Sequence, residues 1–247
     1  MATLATVAPC RLCNLEKPLR NSHVTPKFLW KDSGLTGKGK NFEAFSPSHP
    51  HLSEAHRQDG FKERLLCGDC ERRLSVHEQY AKEKLFGKNG PLKIRPRSDF
   101  LWNGLNYPAL KLFQLSILWR MGVSGLPFYS HVALGRHEAI LRKMILNDDP
   151  GLPSQYGCIC TLLEYKGRPM FSLFSQPRYL KTLRCYVFVL AGMHWFMFPT
   201  DEPPNAMCIP LLLRLSGEWI LLKTDLTNFG YLKEQVTELK ARRAKKA

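Results

Sequence analysis

Two cysteine pairs carry the chemistry most open to reading in this chain, Cys10-Arg-Leu-Cys13 and Cys67-Gly-Asp-Cys70. A C-x-x-C turn offers two sulfurs to one ion, so two such turns can complete a tetrahedral four-thiolate zinc site. The competing chemistry at this spacing is thiol redox. A shared zinc ties together segments that are remote in sequence. Residues from about 8 to 85 are then expected to form one metal-pinned unit, with the phrase Ser22-His23-Val24-Thr25-Pro26-Lys27-Phe28 displayed by it. The other cysteines, Cys158, Cys160, Cys185 and Cys208, lie in apolar, strand-like stretches and read as small core residues.

The setting narrows the possibilities. An apolar fraction of 44% excludes a disordered chain. The formal net charge of +15 favours polyanionic partners, nucleic acid first, then an anionic membrane surface or an acidic protein. The longest apolar run, residues 186–198, is interrupted by His194 and falls short of the ~20 residues a spanning helix needs. Residues 1–9 lack the charged and apolar regions of a secretory signal. A cytoplasmic protein with no membrane segment is expected, and in a reducing compartment C-x-x-C pairs serve metal or redox chemistry rather than disulfides.

The elements that must hold the cysteines follow from pattern. Residues 23–30 read as extended chain leading into a short helix, because Pro26 blocks helix before it. Residues 31–60 are a long polar loop containing Gly34, Gly37, Gly39, His49, Pro50 and His51. A strand over 61–66 delivers Cys67. Helical periodicity then runs from Cys70 to Phe86, with Leu74, Ala81 and Leu85 on one face. Gly87, Gly90 and Pro91 end it.

The linker 88–98 marks an expected boundary, giving one domain over 1–95 and a second over 96–247. The second opens with a helix over 108–121 that is apolar on nearly every side, as a buried central helix would be. In it Arg120 needs either the surface or an acid such as Glu138. A helix over 136–147 follows, with Ile140, Leu141, Met144 and Ile145 inward. Strands are predicted over 158–165, 170–174, 185–190, 193–198, 209–215 and 219–223. A basic helix over 231–246 closes the chain. The predicted class is α+β, with a zinc-stapled ββα module followed by helices on a mostly antiparallel sheet.

Taken together, C-x-x-C, then His23-Val24-Thr25-Pro26-Lys27, then Leu65-Leu66-Cys67-Gly68-Asp69-Cys70, the first third of the chain resembles the HNH endonuclease family. That resemblance implies a ββα unit stapled by Cys10, Cys13, Cys67 and Cys70. It also implies that His23 acts as general base on a water attacking phosphorus, with a divalent cation stabilising the developing charge. The chain departs from the family pattern at three places. Ser22 stands where an Asp ligand is usual, Lys62 where an Asn is usual, and Glu71 where the last His or Asn ligand is usual. Glu71 suits Mg²⁺ or Mn²⁺. Asp59, Glu63, His77 or Glu78 are the candidates to complete such a site.

Bland roles stand beside these. His23 can hold a turn through a carbonyl, Glu71 can complement a helix N-terminus, and His49 and His51 can be solvated. Three functions follow: a metal-dependent nuclease acting on nucleic acid, DNA before RNA; a non-catalytic zinc-stabilised nucleic-acid-binding module; or a structural subunit of a larger assembly, for example a phage-defence complex, with 96–247 meeting a protein partner.

Overall fold

The computed structural model describes residues 7–32, 60–94, 96–171, 173–202, 204–233 and 237. Most of the polar loop, with His49, His51 and Asp59, lies outside these residues, as does most of the expected terminal helix.

The N-terminal third is built on a three-stranded antiparallel sheet in the order β1 (Val7–Pro9), β2 (Glu16–His23), β3 (Lys62–Cys67). A short helix, α1 (Lys27–Lys31), follows β2 directly after Pro26. It buries Phe28, Leu29 and Trp30, and the Trp30 indole N–H donates to the buried Thr25 hydroxyl at 2.9 Å. The pairing Leu19↔Cys67 and His23↔Lys62 sets the register of β2 on β3, with a bulge between Arg20 and Asn21. The chain passes from β3 straight into α2 (Gly68–Phe86), which Gly87 ends. The order in this third is therefore strand, strand, short helix, strand, long helix. A four-residue helix, α3 (Pro91–Ile94), follows.

The larger sheet has the path β4 (Phe100–Trp102), β10 (Trp219–Asp225), β5 (Cys158–Tyr165), β9 (Met193–Met197), β8 (Cys185–Leu190), β7 (Arg178–Leu180), with β6 (Arg168–Pro169) paired to β5. Its pairings are antiparallel except that β10 runs parallel to β5, so the sheet is mixed. The fold is α+β. A central helix, α4 (Tyr107–Val123), is buried on all sides, and α5 (His137–Leu146) packs beside it. The Asn106 side chain caps α4 by accepting from the Ala109 N–H at 2.9 Å. No helix among the described residues is long and apolar enough to cross a membrane.

Two expected strands are absent. Residues 209–215 contain a 3₁₀ turn, Ile209–Leu211, in place of a strand, because Pro210 removes a ladder donor. Within 170–174 the described residues, 170, 171, 173 and 174, form no strand; the chain there lends Phe174 to an aromatic cluster instead. Phe174 packs on Trp30 at 4.3 Å and on Phe128 at 4.9 Å between centroids, and Phe61 stacks on Phe128 at 4.2 Å. One apolar core therefore includes both Cys10 and Leu221, continuous through these rings.

Candidate metal centre

The first knuckle is a tight turn. The Cys10 N–H donates to the Leu15 carbonyl, and the Asn14 N–H donates to the Cys10 carbonyl at 2.8 Å. Asn14 closes it with φ of 59°, a left-handed conformation that asparagine tolerates. The turn is fastened to β3 by the Arg11 N–H, which donates to the Leu65 carbonyl at 3.0 Å. The second knuckle is the junction of β3 and α2. Its Cys67 N–H donates to the Cys10 sulfur at 3.3 Å, which crosses from one knuckle to the other.

The four sulfurs of Cys10, Cys13, Cys67 and Cys70 lie within 4.8 Å of one another. Cys13 Sγ and Cys67 Sγ are 3.9 Å apart. Tetrahedral coordination with zinc–sulfur bonds of about 2.3 Å requires sulfurs about 3.8 Å apart, so the spacing fits zinc. All four are free thiols rather than disulfides. Cys10, Cys67 and Cys70 are buried and Cys13 half-buried, as suits a closed structural site.

Electrostatics point the same way. Burial pushes the Cys10 thiol up, but backbone hydrogen bonds from Cys13, Cys67 and Leu12 outweigh it and bring the thiol down to about 7. Cys70 is driven well above the ordinary thiol value, first by burial and then by the neighbouring sulfurs. Cys13 is raised mainly by burial. Crowded thiols of this kind cannot all ionise alone. A divalent cation among them supplies the charge that makes four thiolates stable together. The cluster can hold a structural metal ion such as zinc.

The residues expected to do hydrolytic chemistry are distributed differently. His23 ends β2 opposite Lys62, while Cys67 lies opposite Leu19. Four residues of strand separate these levels by roughly 13 Å. Glu71 sits in the first turn of α2 beside Cys70, at the metal end. Glu78 lies two turns further along α2, roughly 10 Å away. It is Glu78 that shares a partner with His23. The Arg120 guanidinium on α4 reaches Glu78 at 2.8 Å and donates through Nη1 to the His23 carbonyl at 3.1 Å. Arg120 therefore pairs with Glu78 and not with Glu138.

The remaining candidates are engaged elsewhere. Glu63 accepts from the Ser124 hydroxyl at 2.7 Å and from the Gly125 N–H at 3.1 Å. His77 faces Asp148 at 3.6 Å. Ser22 is buried and donates to the Arg20 carbonyl. Among the described residues, the four cysteines are the one set of three or more His, Cys, Asp or Glu side chains whose ligand atoms converge. The sequence did carry a signal for the Arg120 network, a cation inside an otherwise apolar helix; it did not say which acid would answer it.

No protein-family model, curated protein or solved structure matches this chain.

Proposed function

We propose that this chain is a zinc-stapled nucleic-acid-binding protein on an HNH-like ββα unit, in which an ion-pair network stands where hydrolytic machinery would act. One observation carries this reading: the Arg120 guanidinium bridges the His23 carbonyl and the Glu78 carboxylate. A fixed cation at the His23 carbonyl already neutralises the Glu78 carboxylate, and a second cation there would be repelled. The net charge of +15 supports a polyanionic partner. The four-sulfur cluster supports zinc as the element that ties the β1–β2 turn to β3 and α2.

A second reading, a nuclease with His23 as general base and Glu71 on Mg²⁺ or Mn²⁺, is favoured by the half-buried position of His23 at a strand end. One experiment separates the two. Purified protein is titrated into labelled DNA and RNA by anisotropy at several salt concentrations, then incubated with each substrate and Mg²⁺ or Mn²⁺. Binding that falls steeply with salt, without hydrolysis, supports the binding protein. Metal-dependent cleavage abolished by His23→Ala establishes the nuclease. No binding at low salt removes both.

A further inference from the structure

The C-terminal half holds a polar cavity of about 400 Å³ between the turn before α5, the turn joining β7 to β8, and the chain after β9. That volume is within the usual range for a small-molecule or nucleotide site, roughly 300–1,000 Å³. Its lining includes Arg136, Tyr179, Arg184, Tyr186 and Glu202.

Tyr179 is the unusual member. It lies on β7, the edge strand of the large sheet, and is 44% exposed. Its neighbour across the strands is Tyr186, whose ring stands edge-on to it at 5.2 Å. Tyr186 cannot move freely, because its hydroxyl bonds both the N–H and the carbonyl of Ala133 at 2.9 Å. A fixed ring thus buttresses one side of Tyr179 and leaves the ring partly open to solvent.

Two guanidinium groups share the cavity lining with this ring. Arg136 is exposed. Arg184 ends its turn with φ of 54°, a conformation a non-glycine residue holds only at some cost. Its companion is Glu202 at 3.7 Å, with both side chains mostly exposed. An exposed pair at that distance contributes little, and a phosphate can replace it with shorter, charge-assisted bonds. A solvent-facing aromatic ring sharing one cavity with two arginines matches one ligand chemistry well, a flat base joined to a phosphodiester. Bases in a duplex are stacked on both faces and closed to such a ring.

We propose that this cavity takes one unpaired nucleotide of a single-stranded nucleic acid, its base on Tyr179 and its phosphate between Arg136 and Arg184. The proposal rests on the nucleic-acid reading above and names where an open strand would be gripped. The test compares wild type, Tyr179→Ala, Tyr179→Phe and Arg136→Ala for binding of labelled single-stranded DNA and RNA oligonucleotides, a matching duplex, and free mononucleotide as competitor. Circular dichroism melting establishes that each variant is folded.

Tyr179→Ala is expected to weaken single-strand binding about tenfold while duplex binding holds, and Tyr179→Phe to retain wild-type affinity. Arg136→Ala is expected to reduce the salt dependence as well as the affinity. A loss below about twofold in Tyr179→Ala overturns the proposal while leaving the nucleic-acid reading intact. Equal losses on duplex and single strand overturn it also. Full displacement by mononucleotide at low concentration assigns the cavity to a free nucleotide and overturns the strand. Wild type that binds no nucleic acid overturns both readings.

Discussion

Arg120 on α4 meets Glu78 on α2 at 2.8 Å, and its guanidinium also donates to the His23 carbonyl at 3.1 Å. Three elements that the sequence assigns to two different regions are held by this one side chain. Arg120 is almost wholly buried within an otherwise apolar helix, and its Nε further donates to the Ser116 carbonyl. A buried cation persists only where partners answer it.

Removing the guanidinium leaves Glu78 without its cation. Breaking a fully buried pair costs about 3–5 kcal/mol, and the partial exposure of Glu78, 22% of its side chain, lowers this to about 2–4 kcal/mol for Arg120→Met. Glu78→Gln keeps an acceptor but leaves the more deeply buried Arg120 cation without its counter-charge, so it is expected to cost a similar amount, about 2–4 kcal/mol. Urea unfolding of both variants measures the difference. Arg120→Met within about 0.5 kcal/mol of wild type would remove the network from the account of stability.

The metal centre makes its own prediction. Protein purified without chelator is expected to contain one equivalent of zinc by elemental analysis. Cys67→Ser or Cys70→Ala is expected to lose it. Because binding energy at such a site is folding energy, either variant, or chelation of wild type, is expected to lower the melting temperature by more than about 10 °C. A zinc-free protein with unchanged melting would remove the metal from the fold.

His194 gives a pH dependence. It is fully buried on β9 beside Phe196 and Phe229, and it shares a hydrogen bond with the Tyr231 hydroxyl while its Nδ1 has no partner among the described residues. Burial pushes its pKa down to about 3 from 6.5. The imidazole is therefore neutral when folded, and only the unfolded chain takes a proton as the pH falls below 6.5. Stability is full above 6.5 and is lost progressively down to about 3. Between pH 7 and pH 5 the loss from this group is about 2 kcal/mol. Zinc release in acid affects wild type and His194→Phe alike, so the reading is the difference between them. Equal pH slopes for the two proteins would exclude His194 as the source.

Gly122 tests the packing of α4. In an ordinary helix interior, Gly→Ala gains up to about 1 kcal/mol. Here a β-carbon would lie 2.2 Å from Leu134 Cδ1 and 2.4 Å from its Cγ, and Leu134 is buried. The clash reverses the sign, and Gly122→Ala is expected to lose about 1–2 kcal/mol in denaturant unfolding. A stabilised variant would mean that Leu134 can step aside.

Much of the local structure was legible because local rules govern it. Helices α2 and α5 show apolar periodicity, α4 is apolar nearly throughout, and all three have clear terminators. Strands β5, β8 and β9 are β-branched and aromatic runs ended by turn residues, and Lys166 and Ala191 do take the left-handed conformation at two of those turns. What failed was short or non-local. Strands β4 and β7 have three residues each, too few to show a period. Residues 170–174 carry strand-like composition, but Phe174 is drawn into the ring cluster with Trp30 and Phe128. The parallel pairing of β10 with β5 joins segments with a long excursion between them, and nothing in either segment names the other.

The four zinc-type cysteines stand on spacing alone, because ligand type and the turn that presents it are both local. The sequence by itself thus determined the four-cysteine cluster, the strand that runs into the long helix α2 and the basic character of the chain. Only the tertiary structure decided that Arg120 answers Glu78 beside His23, and that Tyr179, Arg136 and Arg184 share one cavity. Those relationships depend on which faces of distant elements meet, and that choice is made by the packing of one common core rather than by any short stretch of residues.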